Sequence, residues 1–276
     1  MRLNFVKMHG LGNDFVVFDA SPTEGVPHAE ALRALAHRHT GIGFDQALVL
    51  SKPRSPDTVA FYQIFNADGA EVEQCGNGAR CVAALMAHRL GLANTEITLG
   101  SPAGLIHARL KSNSIVCVAM GIPNFEPACV PFLAEHAANS YTLTCVGTEI
   151  EFGAVSIGNP HAVIRVDAVA SAPVDTIGHA VENHPLFPRR TNVEFMEIVS
   201  PNHIKLRVYE RGVGETLACG TGACGAVAVG QRRGWLEKDV MVDLPGGRLN
   251  VEWLGPDQPI WLTGPTAIVY TGYVDL

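Results

Sequence analysis

The chain has 276 residues, of which 47% are hydrophobic and 17% charged, with a formal net charge of −7. Such a composition suits one large globular domain or two ordinary ones and argues against disorder, while the acidic balance argues against nucleic acid as a partner, because phosphate binding calls for a basic stripe. No apolar run approaches the roughly 18–20 residues that a bilayer span needs, and the first ten residues, interrupted by Lys7 and His9, lack the apolar core of a signal peptide, so a cytoplasmic protein with no membrane partner is expected.

In chain order, short runs rich in branched and aromatic residues predict strands over 16–19, 46–50, 59–65, 97–99, 106–110 and 115–120. A second series follows over 149–157, 162–166, 193–199, 203–209, 240–244, 248–253, 259–263 and 267–270. Two segments read as helices, 76–90 and 220–233, each closing on basic residues and then on Gly91 or Gly234, a common C-terminal signature. Both are apolar on most faces, which marks buried helices. In the second, Gly225, Ala226, Ala228 and Gly230 keep the girth small, as enclosure by a curved sheet requires. Residues 170–190 read as a helix and loop. The fold class expected is mixed α/β, with a boundary between halves near Gly121-Ile122-Pro123-Asn124.

The strongest organising signal is an internal repeat. At a shift of 144 positions Glu71, Cys75, Gly76, Gly78 and Ala79 recur as Glu215, Cys219, Gly220, Gly222 and Ala223. At a shift of 146, Leu11-Gly12-Asn13-Asp14 pairs with Ile157-Gly158-Asn159-Pro160, and Gln46 stands opposite Asn192. Three separated amide or thiol positions recurring in one order argue for duplicated halves.

Cysteine alone is more often a small buried hydrophobe than a reactive group. Cys75 and Cys219, however, each precede Gly-x-Gly at a helix start, where unpaired N–H groups and the dipole favour a thiolate. The same N–H groups, at Gly76-Asn77 and Gly220-Thr221, suit a carboxylate. Two such thiols fit proton removal on one face of a carbon and return on the other. Cys81, Cys117, Cys129, Cys145 and Cys224 read as structural. The odd total of seven cysteines and the absence of a secretion signal argue against a disulfide framework. The spacings Cys75/Cys81 and Cys219/Cys224 are not those of a Cys-x-x-Cys zinc site, so no metal is expected.

The segment Asn66-Ala-Asp-Gly-Ala-Glu-Val-Glu-Gln-Cys75-Gly-Asn-Gly-Ala-Arg80 resembles the signature of the diaminopimelate epimerase family, and Tyr209-Glu-Arg-Gly-Val-Gly-Glu-Thr-Leu-Ala-Cys219-Gly-Thr-Gly-Ala-Cys resembles its second cysteine motif. Met8 to Phe15, Gly41 to Gln46, Gly158-Asn-Pro-His161 and Thr191-Asn-Val-Glu-Phe195 match in the same order, so the likeness spans nearly the whole chain. Ala70, Leu217 and Gly225 depart from the usual pattern without removing an expected functional side chain.

The resemblance implies two pseudo-symmetric halves, each a barrel-like sheet around a central helix. One comprises residues 1–119 with 265–276 and carries Cys75; the other comprises 120–264 and carries Cys219. It implies epimerisation of LL-2,6-diaminopimelate to the meso isomer, in lysine and peptidoglycan-precursor biosynthesis, without cofactor or metal. In that reading Cys75 and Cys219 are catalytic, and His161 and Glu210 adjust which thiol is ionised. Asn13, Gln46, Asn66, Gly76, Asn77, Asn159, Asn192, Glu210, Arg211, Gly220 and Thr221 bind the substrate, with Glu210 and Arg211 addressing its amino group and remote carboxylate. Tyr270 aligns with a position linked to homodimer formation. Proline-type racemases and phenazine-type isomerases share the implied fold. The first usually carry Cys-Gly-His where this chain has Cys75-Gly-Asn77, and the second generally lack the cysteine pair. A thiol or metal-binding module is the non-enzymatic alternative.

Overall fold

The computed structural model describes residues 2–20, 25–72, 75–112 and 114–275. The chain divides into two compact units, Met1–Ala119 with Thr263–Leu276, and Met120–Leu262.

In the first unit, the strand Arg2–Gly10 lies between Ala267–Asp275 and Asn13–Asp19, antiparallel to both. The sheet continues through Gln46–Ser51, parallel to Asn13–Asp19, and then antiparallel into Ala60–Asn66. It runs on through Glu96–Ser101, Gly104–Leu110 and Ile115–Ala119. Helix α1, Ala29–Ala36, buries Leu32, Leu35 and Ala36 against Phe18, Phe44, Val49 and Phe65. Helix α2, Gly76–Leu90, is buried on nearly every face and touches four strands of this sheet. It ends where Gly91 turns left-handed at φ 65°, a conformation open to glycine without a Cβ clash.

In the second unit, Tyr141–Cys145, Thr148–Ser156 and Pro160–Arg165 form an antiparallel run. Pro160–Arg165 then pairs in parallel with Asn192–Ser200, which pairs antiparallel with His203–Glu210. Asp239–Leu244 and Gly247–Glu252 extend the sheet. Helix α3, Val174–Glu182, packs Val174, Ile177 and Val181 into a cluster that includes Phe132, Phe152, Phe187 and Phe195. Helix α4, Gly220–Arg232, is buried along almost its whole length.

The repeat reappears as sheet register. Phe15 stands opposite Gln46 in the first unit, and His161, 146 positions on, stands opposite Asn192 in the second. The turns before them match as well, with Gly12 at φ 87° and Gly158 at φ 88°.

Three elements of five residues or more lie outside the sequence expectation. The strand Arg2–Gly10 hides behind Lys7 and His9, which break its apolar run; Lys7 is nevertheless buried, because its ammonium pairs with Asp14 and donates to the Gly43 carbonyl. Helix α1 has eight residues and no side-chain cap, so little marks it beyond one apolar stripe. The strand Tyr141–Cys145 is short and half polar. The closing strand runs to Asp275 rather than ending at 270.

Candidate active site

Each catalytic candidate caps a buried helix. Cys75 and Cys219 hold extended backbone angles (φ −145°, ψ 113° and φ −120°, ψ 113°), and their carbonyls accept the first helical N–H bonds, from Ala79 at 2.8 Å and Ala223 at 3.0 Å. No oxygen side chain caps either helix start among the described residues; first-turn N–H groups point outward there, the Gly222 N–H towards the Cys219 sulfur. Cys75 is half-buried and Cys219 is 5% exposed. All seven cysteines are free thiols.

Around Cys75, the Asn13 amide is fixed from two sides. Its Nδ2 donates to Asp45 Oδ2 at 3.0 Å, and its Oδ1 accepts from Asn77 Nδ2 at 3.2 Å and faces the Cys75 thiol at 3.9 Å. Asn77 is itself buried, with its Oδ1 taking a 2.8 Å bond from the fully buried Arg80. Its side chain is therefore committed inside the protein, and what it presents at the helix start is backbone. Gln46 Nε2 donates to Asn66 Oδ1 at 2.9 Å across adjacent strands. Beneath them, Asp14 binds Lys7 and Arg38, and Asp45 binds Arg38. Burial pushes the Asp14 carboxyl up, but the Arg38 and Lys7 bonds outweigh it and hold the group well below the usual carboxylate range.

Around Cys219, Asn159 Nδ2 donates to Thr221 Oγ1 at 3.3 Å, and Thr221 Oγ1 lies 3.5 Å from the Cys219 sulfur. Asn159 Oδ1 meets His161 Nε2 at 2.9 Å, and His161 Nδ1 meets Glu194 Oε1 at 2.7 Å, both residues being fully buried. Glu210 Oε1 accepts from Thr216 Oγ1. Asn192 is buried, its Nδ2 donating to the Pro160 carbonyl at 2.8 Å and its Oδ1 accepting from the Arg211 N–H at 3.0 Å. Its amide thus fixes the corner that carries Arg211, whose exposed guanidinium rests on the Arg189 carbonyl.

The helix start alone does not make Cys219 a thiolate. Burial pushes this thiol well up, and Glu210 and Glu194 push it further, while Thr221 and the Gly222 N–H pull it down. Sequence reasoning passed over Glu194, although a carboxylate between Val193 and the apolar pair Phe195-Met196 is a visible anomaly. It passed over Arg80 too, a cation inside a buried helix.

Solved structures share the fold of this chain. A hydroxyproline epimerase from Agrobacterium vitis matches with a TM-score of 0.71 at 16% identity, over 99% of this chain and 92% of the other. A phenazine biosynthesis protein of the PhzF family from Enterococcus faecalis matches at 0.67 and 12%, over all of both chains. At such identities the likeness establishes a mixed α/β fold of two halves, one that isomerases share. Sequence then narrows it. The diaminopimelate epimerase family model matches residues 5–126 and 153–271. The chain is 53% identical to the diaminopimelate epimerase of Thioalkalivibrio sulfidiphilus (strain HL-EbGR7) and 49% identical to that of Azotobacter vinelandii, each over the full length of both proteins. The chain belongs to the diaminopimelate epimerase family.

Proposed function

We propose that this isomerase converts LL-2,6-diaminopimelate to the meso isomer, a step of lysine biosynthesis, by a two-base reaction of Cys75 and Cys219. One cysteine, as thiolate, takes the α-proton and becomes a thiol; the other thiol gives its proton to the opposite face of the carbanion and becomes the thiolate. The reverse direction exchanges the roles. The observation that carries this reading is the equivalence of the two helix starts, each with a cysteine in extended conformation at the cap of a buried helix.

An amino-acid α-proton is a very weak acid, so the carbanion needs fixed donors in a site that excludes water. The first-turn N–H groups at Gly76-Asn77 and Gly220-Thr221 serve the substrate's reacting carboxylate. Asn13, Asn159, Gln46 and Asn66 hold a zwitterion without adding charge, and Glu210 and Arg211 take the amino group and the remote carboxylate. Asn192 joins this set, and its amide also fixes the Arg211 backbone. We also assign the chain to homodimers, with Ile268, Val269, Tyr270 and Tyr273, all exposed on the last strand, as the contact face. Its compartment on this reading is the cytoplasm, where seven free thiols stay reduced.

The deciding experiment follows α-deuterium uptake in D₂O from LL-diaminopimelate and, in parallel, from proline and hydroxyproline, with chiral analysis of products. Uptake with meso product from diaminopimelate alone supports the proposal, and Cys75→Ser or Cys219→Ser is expected to lower epimerisation by at least about 10³-fold. Exchange with proline would keep the mechanism and change the substrate. Near-normal turnover in either variant would remove that cysteine from the reaction. Light scattering on Tyr270→Ala checks the dimer: an unchanged oligomer would move the interface elsewhere.

A further inference from the structure

The two halves, alike at their helix starts, differ behind the thiols. Behind α2, Gly78 leaves room for Leu48 and Phe15, whose atoms lie 3.2 and 3.4 Å from where a Cβ would stand. Behind α4, the equivalent Gly222 and the nearby Gly225 leave room for Glu194 and His161, at 2.9 and 3.2 Å. At the repeat's 146-position shift, Leu48 corresponds to Glu194 and Phe15 to His161. An apolar pair in one half is thus an acid–imidazole pair in the other.

The two equivalent asparagines face opposite ways as a result. Asp45 only accepts, so it draws the Asn13 Nδ2 and leaves Oδ1, an acceptor, towards Cys75. His161 Nε2 is met by the Asn159 Oδ1, which makes that ring nitrogen a donor and turns the Asn159 Nδ2 to Thr221. The Thr221 hydroxyl, accepting from Asn159, keeps its hydrogen to give, and the Cys219 sulfur lies 3.5 Å away.

We infer that Glu194 is a positioning residue: with His161 it holds a proton on Nε2, and thereby orients Asn159 and Thr221 so that Cys219 faces a donor while Cys75 faces an acceptor. The pair is fully buried, and one Glu194 oxygen, Oε2, has no hydrogen-bond partner. A net negative charge is costly there, so the pair is held neutral overall, either as carboxylic acid with imidazole or as carboxylate with imidazolium. Nε2 bears a proton in both. Burial raises the Glu194 pKa, with the nearby Glu210 adding to the rise against the opposing pull of His161. Glu210 and Cys219 are the other titratable groups bearing on the pair. The consequence is a pair of unlike thiol environments: Cys75 faces an amide oxygen, which accepts, and Cys219 faces a hydroxyl that can donate against the burial and the carboxylates pushing its thiol up.

The functional consequence rests on the two-base reading, but the test does not. ¹⁵N NMR of histidine-labelled protein without substrate should show His161 Nε2 protonated at neutral pH, with Nδ1 accepting from or shared with Glu194. A bare Nε2 with Nδ1–H at neutral pH would overturn the inference. Glu194→Leu should give mixed tautomers and Glu194→Gln, whose amide N–H replaces the acid proton, should restore the single one; tautomers unmoved by Leu would remove Glu194 from the role. Iodoacetamide labelling against pH, mapped by mass spectrometry, reads the far end. Thr221→Val should raise the labelling midpoint of Cys219 by about one pH unit (a tenfold change in thiolate fraction) while Cys75 stays put, and Thr221→Ser should match the parent. A Cys219 midpoint that does not move relative to Cys75 would refute the relay. If epimerase activity is absent but these results hold, the two-base reading fails and the relay stands.

Discussion

Substituting Gly222 by alanine tests the second half against the first. A Cβ at Gly222 would lie 2.9 Å from Glu194 Oε1, 3.3 Å from the Cys219 Cβ and 3.3 Å from Val208 Cγ2, so the carboxylate must retreat to the 3.4 Å of ordinary contact. That retreat is resisted, because Glu194 is fully buried and tied to His161 at 2.7 Å. Overpacking of this kind costs about 1–3 kcal/mol, against about 1 kcal/mol regained from alanine's better helix propensity. The net loss in urea unfolding should be about 0–2 kcal/mol, so the variant folds. Activity should fall much further, by about 10²-fold in kcat/KM, since a small misplacement of a reacting group has that effect. Gly78→Ala is the matched control. The atoms nearest its Cβ would be Leu48 Cδ2 at 3.2 Å, Phe15 Cε1 at 3.4 Å and the Cys75 Cβ at 3.6 Å, and apolar side-chain ends can shift. It should lose at most about tenfold, a difference of about 1.4 kcal/mol from the Gly222 variant. Deuterium exchange from LL-diaminopimelate, with denaturation curves on the same samples, gives both numbers. Equal losses in the two variants, or a Gly222→Ala enzyme within a few-fold of the parent, would refute the reasoning.

Asp14→Asn should destabilise by about 3–5 kcal/mol, because the buried Lys7 loses its counter-charge; a loss under about 1 kcal/mol in denaturant titration would show that water already reaches Lys7. The Asp14 carboxyl is held below its unfolded value, so its contribution is present above the ordinary carboxylate range and fades as pH falls from there through the folded value. Acid unfolding of Asp14→Asn should accordingly be flatter than that of the parent, and parallel curves would contradict this. Phe152→Ala opens a cavity among Phe132, Tyr141 and Phe187, whose ring centres lie 5.5, 5.8 and 5.7 Å from its own, and should cost about 3–5 kcal/mol in urea unfolding. A much smaller loss would mean that the three remaining rings collapse into the space.

Much of the fold is local in origin and therefore legible. Alternating or branched runs marked most strands, and Gly91 and Gly234 after basic residues marked the ends of both long helices. What escaped notice was stabilised from a distance. Lys7 looks like an interruption of the first strand until Asp14 and Gly43 come to meet it. The eight residues of α1 are too few to hold a helix by propensity and owe it to Phe18, Phe44 and Phe65. The spacing of the repeat located the cysteines, asparagines and Gln46, but it did not show that the Asn192 amide also bonds main chain on both sides.

By itself the sequence determined that the chain is two copies of one plan, with a thiol at the head of a buried helix in each, because helix caps, glycine turns and strand periodicity are short-range matters written in neighbouring residues. The tertiary structure alone decided what stands behind each helix. Parallel pairing of Pro160–Arg165 with Asn192–Ser200 carries His161 and Glu194, 33 positions apart, into contact beneath α4, where the matching strands of the other half bring Phe15 and Leu48 beneath α2. Which way an asparagine turns, and whether a sulfur meets a donor or an acceptor, follows from such distant partners, since a buried hydrogen bond takes its direction from the group at its other end.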